Sequence, residues 1–198
     1  MALPKVLRPA VFLDRDGTLI QDVDYLSDPG QIRIYRGVPQ ALKSLKKAGY
    51  FLFVVTNQSG VARGYFSEAV VKRVHRVLRA KLKARGAAVD GFYYCPHYPG
   101  APLKAYAKNC SCRKPKPGLV RQVSRDFAVD LKNSYMIGDK LDDLGLAKAA
   151  RLAGGLLVRT GKGRRAEREL KKLKSKVPVV RNLAQAAKVI LSKKVKLK

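Results

Sequence analysis

Residues 10–18 have the sequence Ala-Val-Phe-Leu-Asp-Arg-Asp-Gly-Thr, and this short stretch decides the fold. The apolar run before Asp14 predicts a buried strand, and two carboxylates, Asp14 and Asp16, come at its end. Gly17 permits a tight turn directly after them. A carboxylate exposed at a rigid strand end can act as a nucleophile, and a second one nearby can give a proton to a leaving oxygen.

Beyond this stretch, short apolar runs alternate with amphipathic segments. Strands are predicted at residues 10–14, 50–55, 91–95, 134–138, 155–158 and 177–180. Helices are predicted at residues 38–48, 67–85, 118–127, 141–150, 165–174 and from residue 183 onward. This alternation predicts an α/β fold with a three-layer, doubly wound parallel sheet of the Rossmann-like type. The length of 198 residues suits one domain, which we expect to span residues 1–198.

The ends of the other predicted strands also carry polar groups, and ligands bind at the carboxyl ends of parallel strands. The second strand is followed by Thr56-Asn57-Gln58-Ser59-Gly60, whose hydroxyl and backbone N–H groups can hold phosphate oxygens. The fourth strand is followed by Asp139-Lys140-Leu141-Asp142-Asp143. Acidic groups that converge from two strands make an oxygen-rich site, which suits Mg²⁺.

All three cysteines of the chain lie in a Pro-rich loop predicted at residues 95–117. An odd number of clustered cysteines is a poor disulfide framework and a good candidate for a metal site. Three thiolates and one imidazole fill a closed tetrahedral Zn²⁺ shell, the mark of a structural site. The candidate ligands are Cys95, His97, Cys110 and Cys112. The alternative is three free buried cysteines and a surface histidine; the other histidine, His75, is interpreted as structural or exposed.

These motifs, taken in order, resemble the haloacid dehalogenase (HAD) superfamily: Asp-x-Asp-Gly-Thr from Asp14, Thr56-Asn57, a later lysine, and Gly-Asp-x-x-Asp-Asp from Gly138. Within that superfamily, the chain resembles the family of heptose 1,7-bisphosphate 7-phosphatases. That closer resemblance is carried by residues 14–18, 54–64, 93–97, 110–115 and 136–140.

The resemblance implies a Mg²⁺-dependent phosphatase that hydrolyses the 7-phosphate of a heptose 1,7-bisphosphate through an aspartyl phosphate. It implies that Asp14 is the nucleophile and Asp16 the general acid and base, while Thr56 and Lys114 stabilise the phosphoryl group. It also implies Mg²⁺ binding by Asp14, the backbone carbonyl of Asp16 and Asp139, and structural Zn²⁺ in the cysteine loop. Arg113 and Lys140 are expected to contact the substrate, along with Asn57, Gln58 and Ser59.

The chain has no room for a separate cap domain between these motifs, so we expect the cysteine loop and residues 21–36 to form the rim of the site. On that rim, Asp22 and Tyr25 either bind sugar hydroxyls or form a turn with a packed tyrosine. Asp143 is expected to orient either Lys114 or a water on the metal. Asp142 is a candidate exposed acid in the first turn of a helix.

The formal net charge of +28 leaves other function classes open. The competing hypotheses are a histidinol-phosphate phosphatase, a nucleic-acid end phosphatase and a nucleic-acid-binding module without activity. Basic residues spread along the whole chain without interleaved aromatic residues, so we expect no specific nucleic-acid partner. A basic C-terminal tail is predicted at residues 192–198. With no long apolar run and no secretory signal, we expect a cytoplasmic monomer that acts on a small sugar bisphosphate.

Overall fold

The structure is a computed structural model that describes residues 6–192, so the predicted basic tail lies outside the described residues except for Ser192. Six parallel strands form one sheet in the order β3-β2-β1-β4-β5-β6. The strands are β1 (Arg8–Leu13), β2 (Phe51–Asn57), β3 (Gly91–Cys95), β4 (Val129–Gly138), β5 (Gly154–Val158) and β6 (Val179–Val180). The direction of winding reverses between β1 and β4, and ligands of such sheets bind at this switch point.

Helices cover both faces of the sheet, which confirms the predicted three-layer, doubly wound fold. They are α1 (Val38–Lys47), α2 (Glu68–Lys83), α3 (Gly118–Asp126), α4 (Leu141–Ala149), α5 (Gly163–Lys172) and α6 (Leu183–Leu191), with a short 3₁₀ helix at Pro29–Gln31. Alternate residues of β1 enter opposite cores: Val11 and Leu13 pack with α1, α2 and α6, whereas Phe12 packs with α3 and α4. A strand buried on both faces explains the continuous apolar run in the sequence.

Most strand bounds lie within two residues of the sequence prediction, and β4 is the exception. β4 begins at Val129, five residues earlier than predicted, because the sheet register shifts beside Pro9 and accommodates a bulge. The Ser134 hydroxyl closes that bulge by accepting a hydrogen bond of 2.8 Å from the backbone N–H of Ala10. β6 is only Val179–Val180, an edge strand shorter than the predicted 177–180.

The segment between β3 and α3 contains no helix or strand among the described residues, as the predicted loop required. None of the helices in the described part of the chain is long and apolar enough to cross a membrane.

Candidate active site

The carboxyl ends of β1 and β4 bring three buried carboxylates together at the switch point. Asp14 directly follows β1, Asp139 directly follows β4, and Asp143 lies in the first turn of α4. One oxygen from each carboxylate lies within 4.8 Å of the others, and the three side chains are at most 2% exposed. Three carboxylates this close repel one another, so the cluster requires compensating positive charge.

The surroundings of Asp139 have the features of a cation site. Its Oδ2 accepts a 2.7 Å hydrogen bond from the backbone N–H of Lys162, whereas its buried Oδ1 has no hydrogen-bond partner among residues 6–192 and lies 4.0 Å from the amine of Lys140. Gly17 and Gly161 both have positive φ and press against this carboxylate: a Cβ on either would fall within 2.3 Å of Oδ2. A buried oxygen with a free lone pair, beside other carboxylates, fits a hard cation such as Mg²⁺.

Lys114 supplies part of the compensating charge from the cysteine loop. Its Nζ lies 2.9 Å from Asp14 and 2.6 Å from Asp143, and it donates to the carbonyl of Val55 at 2.9 Å. The Asn57 amide holds the backbone of Lys114 by accepting from its N–H at 3.0 Å and donating to its carbonyl at 3.2 Å. Asn57, predicted to contact substrate, therefore also fixes the lysine in place.

Burial and neighbouring charges separate the pKa values of the three acids. Burial alone would raise the pKa of Asp14, but Lys114 and Lys140 together hold it below its ordinary value. Burial and the negative charge of Asp14 raise the pKa of Asp139 to about 7. Burial raises the pKa of Asp143 to about 6 despite the opposing effect of Lys114. Asp14 is therefore the acid of this cluster that stays ionised most readily.

Asp16 belongs to a hydrogen-bond network that the sequence did not reveal. The fully buried Arg15 donates to both Asp16 carboxylate oxygens, at 3.0 Å and 2.9 Å. The Gln58 amide nitrogen donates to Asp16 at 3.0 Å and to the Thr56 hydroxyl at 2.9 Å, and its oxygen accepts from Arg15. Gln58 is thus a buried bridge between Asp16 and Thr56. Its position in a strand-end motif was the only signal in the sequence.

The rim predicted at residues 21–36 borders a cavity of about 140 Å³ whose lining includes Asp16, Gln58 and Ser59. Asp22 and Asp24 lie 3.6 Å and 2.9 Å from the amine of Lys162, a residue that the sequence reasoning missed. Lys162 follows β5, the neighbour of β4, so the strand-end rule applied to that strand would have found it. Tyr25 is 44% exposed and thus available to a ligand. The amine of Lys140 lies 3.8 Å from Asp14.

The predicted zinc ligands converge in the loop after β3. The Sγ atom of Cys110 lies 3.4 Å from that of Cys95 and 3.3 Å from that of Cys112. The Nδ1 atom of His97 lies 3.4 Å from the Cys112 sulfur and 3.7 Å from the Cys95 sulfur. These separations exceed the roughly 2.05 Å of a disulfide and are near the edge of a tetrahedron around Zn²⁺, about 3.5–3.8 Å. The four side chains therefore form a possible metal site.

Comparisons with known proteins agree with this geometry. The polynucleotide kinase 3 phosphatase family model matches residues 10–147, and the HAD-hydrolase-like model matches residues 111–186. A D-glycero-beta-D-manno-heptose-1,7-bisphosphate 7-phosphatase from Photorhabdus laumondii is 46% identical over 154 residues, which cover 78% of this chain and 82% of the relative. The enzyme of that name from Escherichia coli K12 is 44% identical over 154 residues, covering 78% of this chain and 81% of the relative.

A crystal structure of D,D-heptose 1,7-bisphosphate phosphatase from B. bronchiseptica, complexed with magnesium and phosphate, is also similar. It superimposes with a TM-score of 0.79 at 34% identity, over 93% of this chain and 99% of that one. A putative HAD-like phosphatase from Mesorhizobium loti gives a TM-score of 0.80 at 32% identity, over 97% of this chain and 90% of that one.

The fold, the order of the motifs and the matching family models make the chain a phosphatase of the HAD superfamily, as the sequence predicted. Within that superfamily it belongs to the family of D-glycero-beta-D-manno-heptose-1,7-bisphosphate 7-phosphatases.

Proposed function

We propose that this phosphatase hydrolyses the 7-phosphate of D-glycero-D-manno-heptose 1,7-bisphosphate through an aspartyl phosphate on Asp14. The observation that carries the proposal is the buried ion pair between Asp14 and Lys114, beside the Asp139 carboxylate. It is found in a chain 46% identical to an enzyme named for that substrate. A phosphoryl transfer depends mainly on positioning and on neutralising charge, and this cluster supplies both.

In the first step we propose that an oxygen of Asp14 attacks phosphorus while the bond from phosphorus to the sugar oxygen breaks. The lowered pKa of Asp14 keeps this nucleophile ionised. Lys114 and the Thr56 hydroxyl would hold the oxygens of the phosphoryl group. Asp16 would give its proton to the departing sugar oxygen, which completes the first half of the reaction.

In the second step Asp16 would take a proton from water as that water attacks phosphorus. The bond between phosphorus and Asp14 then breaks, which frees phosphate and restores the Asp14 carboxylate. The three hydrogen bonds that Asp16 accepts from Arg15 and Gln58 support this role, because they fix the direction of its carboxylate beside the reacting oxygens.

We propose that Mg²⁺ would be held by Asp14, Asp139 and the backbone carbonyl of Asp16. The Asp139 oxygen that accepts no hydrogen bond supports this choice, and the carboxylate of Asp16 is already engaged by Arg15. When bound, the cation neutralises negative charge on the phosphate and so allows an anionic nucleophile to approach. Asp143 orients Lys114 in this proposal, since its Oδ1 contacts that amine at 2.6 Å.

We further propose that the cysteine loop holds Zn²⁺ through Cys95, His97, Cys110 and Cys112 in a closed, structural site. Arg113 and Lys114 directly follow the last ligand, so the metal would fix where both cations lie. Arg113 would bind substrate, along with Lys140, Asn57, Ser59 and the rim residues Asp22 and Tyr25. The buried position of Gln58 supports a role in orienting Asp16 and Thr56.

The remaining expectations are a single domain over residues 1–198, a monomer and a cytoplasmic location. One continuous sheet supports the first of these. The cysteine cluster supports the location, since thiolate ligands persist most readily in a reducing compartment.

Steady-state kinetics on three substrates test the proposed substrate. We expect kcat/KM to be highest for heptose 1,7-bisphosphate, compared with histidinol phosphate and a 3′-phosphorylated oligonucleotide. A nucleic-acid end phosphatase is the second candidate, favoured by the match over residues 10–147 and the charge of +28. A higher kcat/KM on either of the other two substrates would overturn the heptose proposal.

A further inference from the structure

Arg63 lies where three segments around the candidate site meet. Its backbone N–H donates to the carbonyl of Ser59 at 3.0 Å, within the segment that follows β2. Its guanidinium lies 4.4 Å from the ring centre of Tyr98 in the cysteine loop. The same guanidinium lies 5.9 Å from the ring centre of Tyr25 on the rim. In a phosphatase without a cap domain, a residue at this junction is well placed to control which substrates fit.

A second arginine contacts the same tyrosine. The guanidinium of Arg113 lies 4.8 Å from the ring centre of Tyr98, and its Nη1 donates to the carbonyl of His97 at 3.3 Å. Because both distances end on one ring centre, the two guanidinium carbons are separated by no more than the sum of those distances. A phosphate group placed at the edge of the ring can therefore reach both arginines.

The two charges are not neutralised by the protein. Among the ion pairs of residues 6–192, none involves Arg63 or Arg113. The Nε atom of Arg63 is buried and has no hydrogen-bond partner in that part of the chain. A guanidinium stacked on an aromatic ring keeps its in-plane N–H groups free, and such groups match the geometry of a phosphate. Two cations that share one ring and have no acidic partner repel each other, and an anion bound between them would relieve this repulsion.

We propose that Arg63 is a specificity-determining residue that binds, together with Arg113, the substrate phosphate that is not hydrolysed. This inference rests on the proposed bisphosphatase function and assigns that function's selectivity to one further side chain. Lys114 links the two phosphate sites along the chain. It contacts Asp14, where the 7-phosphate would react, and it directly follows Arg113, which would bind the other phosphate. Tyr98 orients the pair of arginines by stacking.

The test compares heptose 1,7-bisphosphate with heptose 7-phosphate, which lacks the second phosphate. Arg63→Gln is expected to lower kcat/KM on the bisphosphate by about tenfold to a hundredfold, the effect of losing a charged hydrogen bond. A much smaller loss is expected on heptose 7-phosphate. The product heptose 1-phosphate should inhibit the variant more weakly by a similar factor. Arg63→Lys keeps the charge and should recover part of the selectivity, and Arg73→Gln on the exposed face of α2 serves as the matched control.

Equal losses on both substrates would show a merely structural role and overturn the inference. The wild-type enzyme and Arg63→Gln could also share the same ratio of kcat/KM on the bisphosphate to kcat/KM on heptose 7-phosphate. If that ratio favours the bisphosphate, the role of Arg63 is overturned while the proposed function stands. A wild-type enzyme that hydrolyses another phosphate monoester but neither heptose phosphate would instead overturn the proposed function, and this inference with it.

Discussion

The amine of Lys114 lies 2.9 Å from the carboxylate of Asp14, and both side chains are at most 3% exposed. Charges in such a site interact strongly because little water screens them. The pair therefore links the loop after β3 to the end of β1. It makes the protonation of the proposed nucleophile depend on a residue far away in the sequence.

Replacing Lys114 should shift the pH dependence of activity. In Lys114→Gln, Asp14 loses the nearby charge that holds its pKa low, so burial would raise that pKa. We expect kcat/KM to fall by about a hundredfold or more, as for loss of a charged group that stabilises a transition state. The acid limb of the pH–rate profile should move to higher pH. Lys116→Gln, at an exposed lysine of the same loop, is the control, and an unmoved acid limb would contradict the assignment.

Without Mg²⁺, Asp139 should make a contribution to stability that is lost as the pH rises. Burial and the nearby charge of Asp14 raise the pKa of metal-free, folded Asp139 to about 7, above the roughly 3.9 of an unperturbed aspartate. Between these values the folded state keeps a proton that the unfolded state releases, so stability is lost as the pH increases through this window. In EDTA, the free energy of unfolding measured with urea should differ between the wild-type protein and Asp139→Asn by an amount that changes with pH. The stabilisation by added Mg²⁺ should be larger at pH 8 than at pH 5, and an equal gain at both pH values counts against this site.

Metal analysis should find about one zinc per chain, because four ligands form one closed shell. Cys110→Ser should bind less zinc, melt at a lower temperature and lose kcat/KM, since the loop carries Arg113 and Lys114. The structural-zinc proposal fails if the purified wild-type protein contains no zinc and still has full stability and activity.

His75 should make the protein less stable in mild acid. Its ring is buried against Phe92 at 4.9 Å between ring centres, and burial, together with Arg15 and Arg79, lowers its pKa to about 3. The unfolded state gains a proton near pH 6.5 while the folded state does not, so stability is lost as the pH falls below that value. Between pH 7 and pH 5 the loss is about 2 kcal/mol.

His75→Phe should remove this loss, as measured by chemical unfolding of both proteins at the two pH values. Asp139 changes the stability in the opposite direction over an overlapping pH range. The quantity compared is therefore the difference in the free energy of unfolding between His75→Phe and the wild-type protein, both at saturating Mg²⁺. A difference that does not change with pH would show that His75 does not titrate in this way.

The sequence predicted much of the fold and the positions of the site, but not the contacts within it. The alternation of apolar runs and amphipathic segments was sufficient to predict the parallel sheet, and the acids after residues 13 and 138 predicted the strand ends that carry the site, whereas the order of the strands was not predicted. The bulge closed by Ser134 was missed because it depends on the register of two strands distant in sequence. The hydrogen bonds between Arg15 and Asp16 were missed because the direction of the Arg15 side chain depends on Gln58, which directly follows the neighbouring strand β2.

The loop after β5 was missed for a different reason. The strand-end rule applied to β5 would have pointed to the Lys162 amine, but not to the backbone N–H of Lys162 or the missing side chain of Gly161, since neither is a chemical group that a motif displays. Asp143 was predicted only in part. Its place in the first turn of α4 was evident, whereas its 2.6 Å contact with Lys114 required the folded loop.

Trapping the covalent intermediate tests the proposed mechanism most directly. The enzyme is mixed with excess heptose 1,7-bisphosphate and Mg²⁺ and quenched in acid within the first turnover. Borohydride then reduces any acyl phosphate, and the modified residue is identified by peptide mass spectrometry. We predict reduction at Asp14 in the wild-type protein and none in Asp14→Asn, which should fold normally but be inactive. An active enzyme that yields no modified Asp14, or a modified residue elsewhere, would contradict the mechanism.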